Sequence, residues 1–488
     1  MFDVNSIRLD RRGFLAGLGA GAGLALGGAP ARAQTPLLTV ATRQIEVNRK
    51  AATVFGVAGP NGAQGVFAQE GEMFSGPVLN ATRDPLVMHW HGQIFAPAGQ
   101  DRARPEGGEL AAGASDMHAF RLTPGTHWMH SHQLTEQQLL AAPMIAREKD
   151  AGDVRDVVVM LHDFAFRSPV EILAELGGVD GHASHGAPTA HAGHGAPAPG
   201  AAMNHAGHGM GQGATMGAGM MVHANDVRYD AYLANDRTLD DPQVVRVERD
   251  GRVRLRIVNG ATASVFFIDT GALAATCVAV DGVACQPHQA RLFPLAQGQR
   301  LDLLVTMPAG GGAFPIFAQV EADRRRAGII LATPGAQVAR LSETAAAAAP
   351  YADLGLDMAL RAARPLARKS ADRQFHVMLG EGAKYRWTIN GAVYGEHRPL
   401  EAKVGERVEI MFMNPTMMMH PMHLHGHHFQ VVGIGPRRFE GPMRDTVIVP
   451  PHLPVVVAVD LDKPGPWRLH CHHLYHMATG MMTDLVAT

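Results

Sequence analysis

At roughly 150 residues per domain, a chain of 488 residues is expected to hold about three domains rather than one core. Lys plus Arg number 43 against 45 Asp plus Glu, a formal charge of -2, which gives no electrostatic footing for nucleic acid or an anionic membrane. Charged residues are 18% and hydrophobic ones 46%, excluding wholesale disorder, while 27 His, 25 Met and 3 Cys make a soft-metal ligand inventory too poor in cysteine for a disulfide scaffold.

In chain order, Arg11-Arg12 precede Gly13-Phe14-Leu15, an uncharged Gly/Ala/Leu stretch runs to Ala29, and Ala31-Arg32-Ala33 follows. This reads as a twin-arginine export signal over residues 1–33, which assigns the mature chain to a bacterial periplasm. No later stretch approaches about 18 uninterrupted apolar residues, so no stable membrane insertion is expected.

A first domain is assigned to residues 34–150; it carries His89-Trp90-His91-Gly92 and His130-Ser131-His132. The second, 151–345, contains Val/Ile/Leu-rich runs at 154–161, 244–247, 253–258 and 301–305. A linker over 346–364 leads to a third domain, 365–488, with runs at 408–412, 431–434 and 455–459. Short strands at this spacing, broken by Gly, Pro and Asp-Gly, predict all-β sandwiches. Helical patterns are few, the better ones at 134–142 and 354–363.

Residues 181–221 differ in kind. They hold no Lys, Arg, Asp or Glu, no aromatic residue and no Leu, Ile or Val, but six His and five Met. Such a segment cannot bury enough apolar area to offset its ordering entropy, so a disordered insertion is expected. Further on, Cys277 and Cys285 flank the Asp281-Gly282 turn. They would face one another across a three-residue loop but not across a two-residue one, and a disulfide is left open on that point.

The chemistry lies in four His-x-His pairs: His89/His91, His130/His132, His423/His425 and His470/His472. Alternate residues of a strand share a face, so each pair aims two imidazoles at one point, and eight converging imidazoles require metal. Cys471, between His470 and His472, must point to the opposite face. There it can meet His476, Met481 and a histidine of the neighbouring motif, for which His420 is the candidate. One thiolate, two imidazoles and an axial thioether are the ligand set of a blue electron-transfer copper.

Taken together, His-Trp-His-Gly, His-Ser-His, His-Pro-Met-His-Leu-His-Gly (420–426) and His-Cys-His-x-x-x-His-x-x-x-x-Met (470–481) resemble the four copper-binding signatures of the multicopper oxidases, in that family's order. The resemblance implies three cupredoxin-like domains, each a Greek-key β-sandwich, and four copper ions. His420, Cys471, His476 and Met481 would hold the type 1 copper, and His89 with His423 the type 2 copper. His91, His130, His132, His425, His470 and His472 would hold the type 3 pair. It also implies that four single-electron oxidations, passing from Cys471 to His470 or His472, reduce one dioxygen to two waters, with Asp101 as a proton relay. Many relatives carry an acid just after the last type 1 histidine; this chain has Met477 there.

Two donors compete for the role of reductant: Cu(I), which soft thioethers suit, and small phenols or aromatic amines, as in laccases. The Met/His content of 181–221 favours Cu(I), and Leu356-Asp357-Met358 lies in a region that contributes Met and Asp to a substrate copper site in cuprous oxidases. A different class, a non-catalytic copper-sequestering protein, gives no reason to set a cysteine between two cluster imidazoles.

Overall fold

The structure is a computed structural model that describes residues 38–177 and 223–488. Both the export-signal expectation and the disordered-insertion expectation therefore lie outside the described residues. Among these residues the chain forms six sheets, two in each of three successive stretches. In every stretch the first sheet contains a parallel pair: Leu38–Val47 beside Met73–Asn80, Arg155–Phe164 beside Arg252–Asn259, and Arg373–Gly382 beside Arg407–Met413. The second sheet repeats the device with Val66–Gln69 beside Ala141–Arg147, Val244–Arg246 beside Arg326–Ala332, and Leu400–Ala402 beside Met482–Ala487.

Each sheet pair closes over its own apolar interior, in keeping with one buried face per strand. The first is centred on Val40, Val57, Met129 and Met144, the second on Leu255, Phe266, Leu303 and Ile329, and the third on Val408, Phe412, Val457 and Leu469. All three β-sandwiches are as expected.

Helices are short. The pattern at 134–142 yields only a 3-10 turn, Leu134–Gln138, because Leu139 enters the left-handed region at φ 61 and the chain continues as the strand Ala141–Arg147. The linker pattern yields Gly355–Ala359 (α2). Two helices had no clear apolar period: Pro169–Glu175 (α1), started by a Ser168/Glu171 capping box, and Leu474–Ala478 (α3), which follows the Cys471 motif.

Seven strands carry the site and its supports. They are Met88–His91 (β1), Gly125–Ser131 (β2), Ala275–Val280 (β3), Val283–Ala290 (β4), His420–Leu424 (β5), Thr446–Val449 (β6) and Gly465–Cys471 (β7). β1 pairs with β2 so that His89 faces His130, and β5 pairs with β7 so that His423 faces His470 and Met422 faces Cys471. Register alone therefore brings the front and rear motifs into two facing rows.

Candidate metal centre

The eight His-x-His imidazoles meet where the first and last sandwiches adjoin. His89 Nε2 lies 3.2 Å from His423 Nε2, His132 Nε2 lies 3.2 Å from His470 Nε2, and His425 Nε2 lies 3.1 Å from His470 Nε2. His91 Nδ1 is 3.4 Å from His130 Nε2. The His472 ring completes the group, its centroid 5.0 Å from His130 and 5.1 Å from His91.

These nitrogens are not hydrogen-bonded to one another. His89 Nδ1 donates to Asp101 Oδ2 at 2.7 Å and His423 Nδ1 donates to the Asp445 carbonyl at 2.9 Å, which leaves both facing Nε2 atoms as bare lone pairs. His91 donates through Nε2 to Asp445 Oδ1 at 3.1 Å, His130 through Nδ1 to the Ser131 carbonyl at 2.9 Å, and His470 through Nδ1 to the Cys471 carbonyl at 2.9 Å. With those tautomers the facing nitrogens of His89 and His423, and of His91 and His130, are acceptors without a donor between them, and His470 Nε2 is a further bare lone pair. Burial holds His91, His132, His423, His425 and His472 well below the ordinary imidazole range and His470 at about 3, so protons do not fill the gap. Neither ring nitrogen of His472 has a hydrogen-bond partner among the described residues. Neutral imidazoles with converging lone pairs fit a metal cation.

A second donor set lies on the other side of β7. Cys471 Sγ is 3.7 Å from Nδ1 of His420 and 3.7 Å from Nδ1 of His476, and these two nitrogens are 3.2 Å apart. The Cys471 amide donates to the Met481 carbonyl at 3.0 Å and the Met481 amide to the His476 carbonyl at 2.9 Å, which seats buried Met481 against the group. Burial pushes the Cys471 thiol well up and the His476 imidazole down to about 3. A thiolate here needs a cation in place of its proton, and a soft one suits the sulfur. The eleven His and Cys residues expected as ligands and Asp101 thus fall at two adjoining centres, with buried Met481 tied by its backbone to Cys471 and His476.

The glycine that closes each long motif is required. Gly92 (φ 83) has no room for a Cβ, which would sit 2.2 Å from His127 Nδ1, and at Gly426 (φ 67) it would sit 2.1 Å from the Trp467 ring.

Several supporting residues carry no motif signal. Glu136 Oε2 is 3.1 Å from His130 Nδ1. Asp445, besides its two histidines, meets Arg300 at 2.5 Å and 2.7 Å. Burial alone would raise the Asp445 carboxyl, but the Arg300 guanidinium outweighs that and holds it below the carboxylate range. Thr446 Oγ1 lies 3.2 Å from His423 Nδ1. At the outer edge of the thiolate group, Asp226 Oδ2 is 3.7 Å from His476 Nε2 and accepts from the Tyr385 hydroxyl at 2.5 Å, while Trp387 stacks on His476 at 3.8 Å. Met418 and Met419 are buried in the third interior and pack the site. Asp357 on α2 is buried and accepts from Arg444 Nε at 2.5 Å, so the linker carboxylate expected at a substrate ion is already engaged.

Two family models, each described as multicopper oxidase, match residues 195–339 and 368–488. Multicopper oxidase MmcO of Mycobacterium tuberculosis (strain ATCC 25618 / H37Rv) is 29% identical over 429 residues, covering 84% of this chain and 78% of that protein. Copper resistance protein A of Escherichia coli is 24% identical over 531 residues, covering 86% of each. Among solved structures, the multicopper oxidase Fet3p superposes with a TM-score of 0.71 at 16% identity (92% of this chain, 90% of that one). The laccase from Botrytis aclada superposes with a TM-score of 0.72 at 20% identity (92% and 87%). The shared fold is the three-domain cupredoxin architecture, and with the two matched segments it identifies the chain as a member of the multicopper oxidase family, a copper-dependent oxidoreductase.

Proposed function

We propose that this chain oxidises cuprous ion with dioxygen as the terminal acceptor, reduced to water, and that it does so in the periplasm after twin-arginine export. His420, Cys471, His476 and Met481 would hold a type 1 copper, His89 and His423 a type 2 copper, and His91, His130, His132, His425, His470 and His472 a type 3 pair. Copper bound there supplies one-electron redox at the thiolate and the electron storage that dioxygen reduction needs.

The observation that carries the reading is that both donor sets hang from β7 on opposite faces. Cys471 Sγ faces His420 and His476, while its own carbonyl accepts from His470 Nδ1 at 2.9 Å. A short covalent path through one residue, shortcut by that hydrogen bond, therefore joins the outer centre to the inner one. Asp101, touching His89 at 2.7 Å and His425 Nδ1 at 3.3 Å, would carry protons to the inner centre.

Two features at the outer edge support a cationic donor. The Asp226 carboxylate, which accepts from the Tyr385 hydroxyl, lies 3.7 Å from His476 Nε2, and a negative charge at that edge favours a cationic donor over a neutral phenol. The described chain also resumes at His223, whose amide donates to the Met417 carbonyl at 3.1 Å and which bridges Met418, so a further histidine stands beside the methionines next to His420. The relatives named copper resistance protein A support the same donor.

Kinetics of the copper-loaded enzyme with Cu(I) and with a phenol decide the matter. Oxygen uptake with Cu(I) at a higher kcat/KM than with the phenol is expected. The reverse order would assign a laccase-like oxidase, and copper binding without oxygen uptake would leave only sequestration.

A further inference from the structure

The hairpin of β3 and β4 holds two thiols that the copper chemistry does not use. Its loop is the two-residue turn Asp281-Gly282, closed by the Val280–Val283 pair, with φ 50 and 77. A regular two-residue hairpin would pair Cys285 with Val278 and send Cys277 to the other face. The pairing is irregular there: Ala279 pairs with Ala284 but Cys277 with His288, so three residues of β4, 285–287, lie opposite Val278 alone, and this bulge seats Cys285 beside Cys277. Both side chains are buried, and the sulfurs lie 3.8 Å apart. Cys285 is the sole buried residue of β4, otherwise an exposed or half-buried edge strand. On its open side the linker docks: Cys285 bridges Ala362, and the Gln286 amide donates to the Arg361 carbonyl at 2.8 Å.

We propose that Cys277 and Cys285 are a site of reversible oxidation, a dithiol that closes to a disulfide by exchange with a dialkyl disulfide. Cys285 is the attacking sulfur. It lies on the edge strand, and the hydrogen bond from the Cys277 thiol, aided by the charge of Arg444, holds its thiol below the ordinary value while that of Cys277 is held above. In the first step the Cys285 thiolate attacks one sulfur of the dialkyl disulfide, giving a mixed disulfide and releasing one alkyl thiolate. In the second, Cys277 loses its proton to that released thiolate and attacks Cys285 Sγ, expelling the other alkyl thiolate. One disulfide is formed and one consumed, so electrons balance. Geometry permits the closure, since two sulfurs 3.8 Å apart reach bonding distance by side-chain rotation on one face of the hairpin. The bond would staple the edge strand, and with it the docked linker, to the second sandwich.

The test exposes the reduced, copper-loaded protein to bis(2-hydroxyethyl) disulfide, quenches in acid, alkylates under denaturing conditions, and reads intact mass and peptide maps. The expected result is joint loss of two alkylation sites and a linked 277/285 peptide. The Cys277→Ser variant should stop at a hydroxyethylthio adduct on Cys285, and Cys285→Ser should give no adduct on Cys277. Persistent alkylation of both cysteines, a link to Cys471 instead, or equal adducts on the two single variants would overturn the proposal. The wild-type measurement decides alone if either variant fails to fold.

Discussion

Glu136 sets its Oε2 3.1 Å from His130 Nδ1, and its other oxygen has no hydrogen-bond partner among the described residues. Burial holds this carboxyl above its ordinary range. Its place beside an inner-centre imidazole is notable because Met477 occupies the position where many relatives carry an acid. Replacing Glu136 by Leu removes the charged one of the two acceptors at His130 Nδ1, leaving the Ser131 carbonyl, and a loss of about tenfold in copper affinity is expected. Glu136→Gln, which keeps an acceptor, should lose much less. Copper retained after a chelator challenge measures both, and equal retention by Leu and wild type would remove Glu136 from the metal site.

Asp445 ties the inner centre to a buried cation. Asp445→Ala would leave the fully buried Arg300 guanidinium without its main counter-charge, at a cost of about 3–5 kcal/mol in the copper-free protein. Denaturant unfolding reads it directly. A change below about 1 kcal/mol would show that Asp281, 4.0 Å from Arg300 Nη1, suffices.

Asp101→Asn keeps the shape of the side chain but not its proton chemistry. Dioxygen-dependent turnover should fall on the order of 10²-fold while the thiolate centre remains reducible by an outer donor. Stopped-flow reduction and reoxidation separate the two. Unchanged reoxidation would confine Asp101 to orienting His89 and His425.

Removal of residues 181–221 should lower kcat/KM for Cu(I) by about tenfold and spare, or raise, turnover of bulky phenols, because it takes away eleven soft or borderline ligands, six His and five Met. Equal Cu(I) kinetics in the two proteins would reduce the stretch to a linker.

Glu321 gives a pH signature away from copper. Burial pushes its carboxyl up to about 8, against one hydrogen bond from the Ala352 amide at 2.7 Å. A raised carboxyl stabilises the fold fully below the ordinary carboxylate range, and that contribution is lost as pH climbs toward 8. Unfolding free energy should therefore decline between about pH 5 and 8 with a slope of at most ~1.4 kcal/mol per unit. Glu321→Gln should flatten that part of the curve; parallel curves would place the loss elsewhere.

The candidate ligands are legible in the sequence because metal chemistry demands specific residue types and a strand fixes their spacing at two: His89/His91 and His470/His472 announce a shared face wherever they fold. Asp445, Glu136, Asp226 and Arg300 are not, since each is an isolated charged residue whose role depends on which segment lands beside it. The helical pattern at 134–142 failed for a similar reason. Leu139 and the strand after it answer to pairing with β2, a long-range contact that outweighs local propensity. The β4 bulge was likewise invisible, because a two-residue turn with regular pairing predicts the thiols on opposite faces.

The pairing of β5 with β7 has one more consequence. His423 opposite His470 and Met422 opposite Cys471 are successive rungs of a single ladder. A slip of one rung would turn the sulfur inward and the imidazoles outward, spoiling both coordination spheres at a stroke. Neither sphere can form in a misaligned chain, so the two donor sets stand or fall together on a single strand alignment.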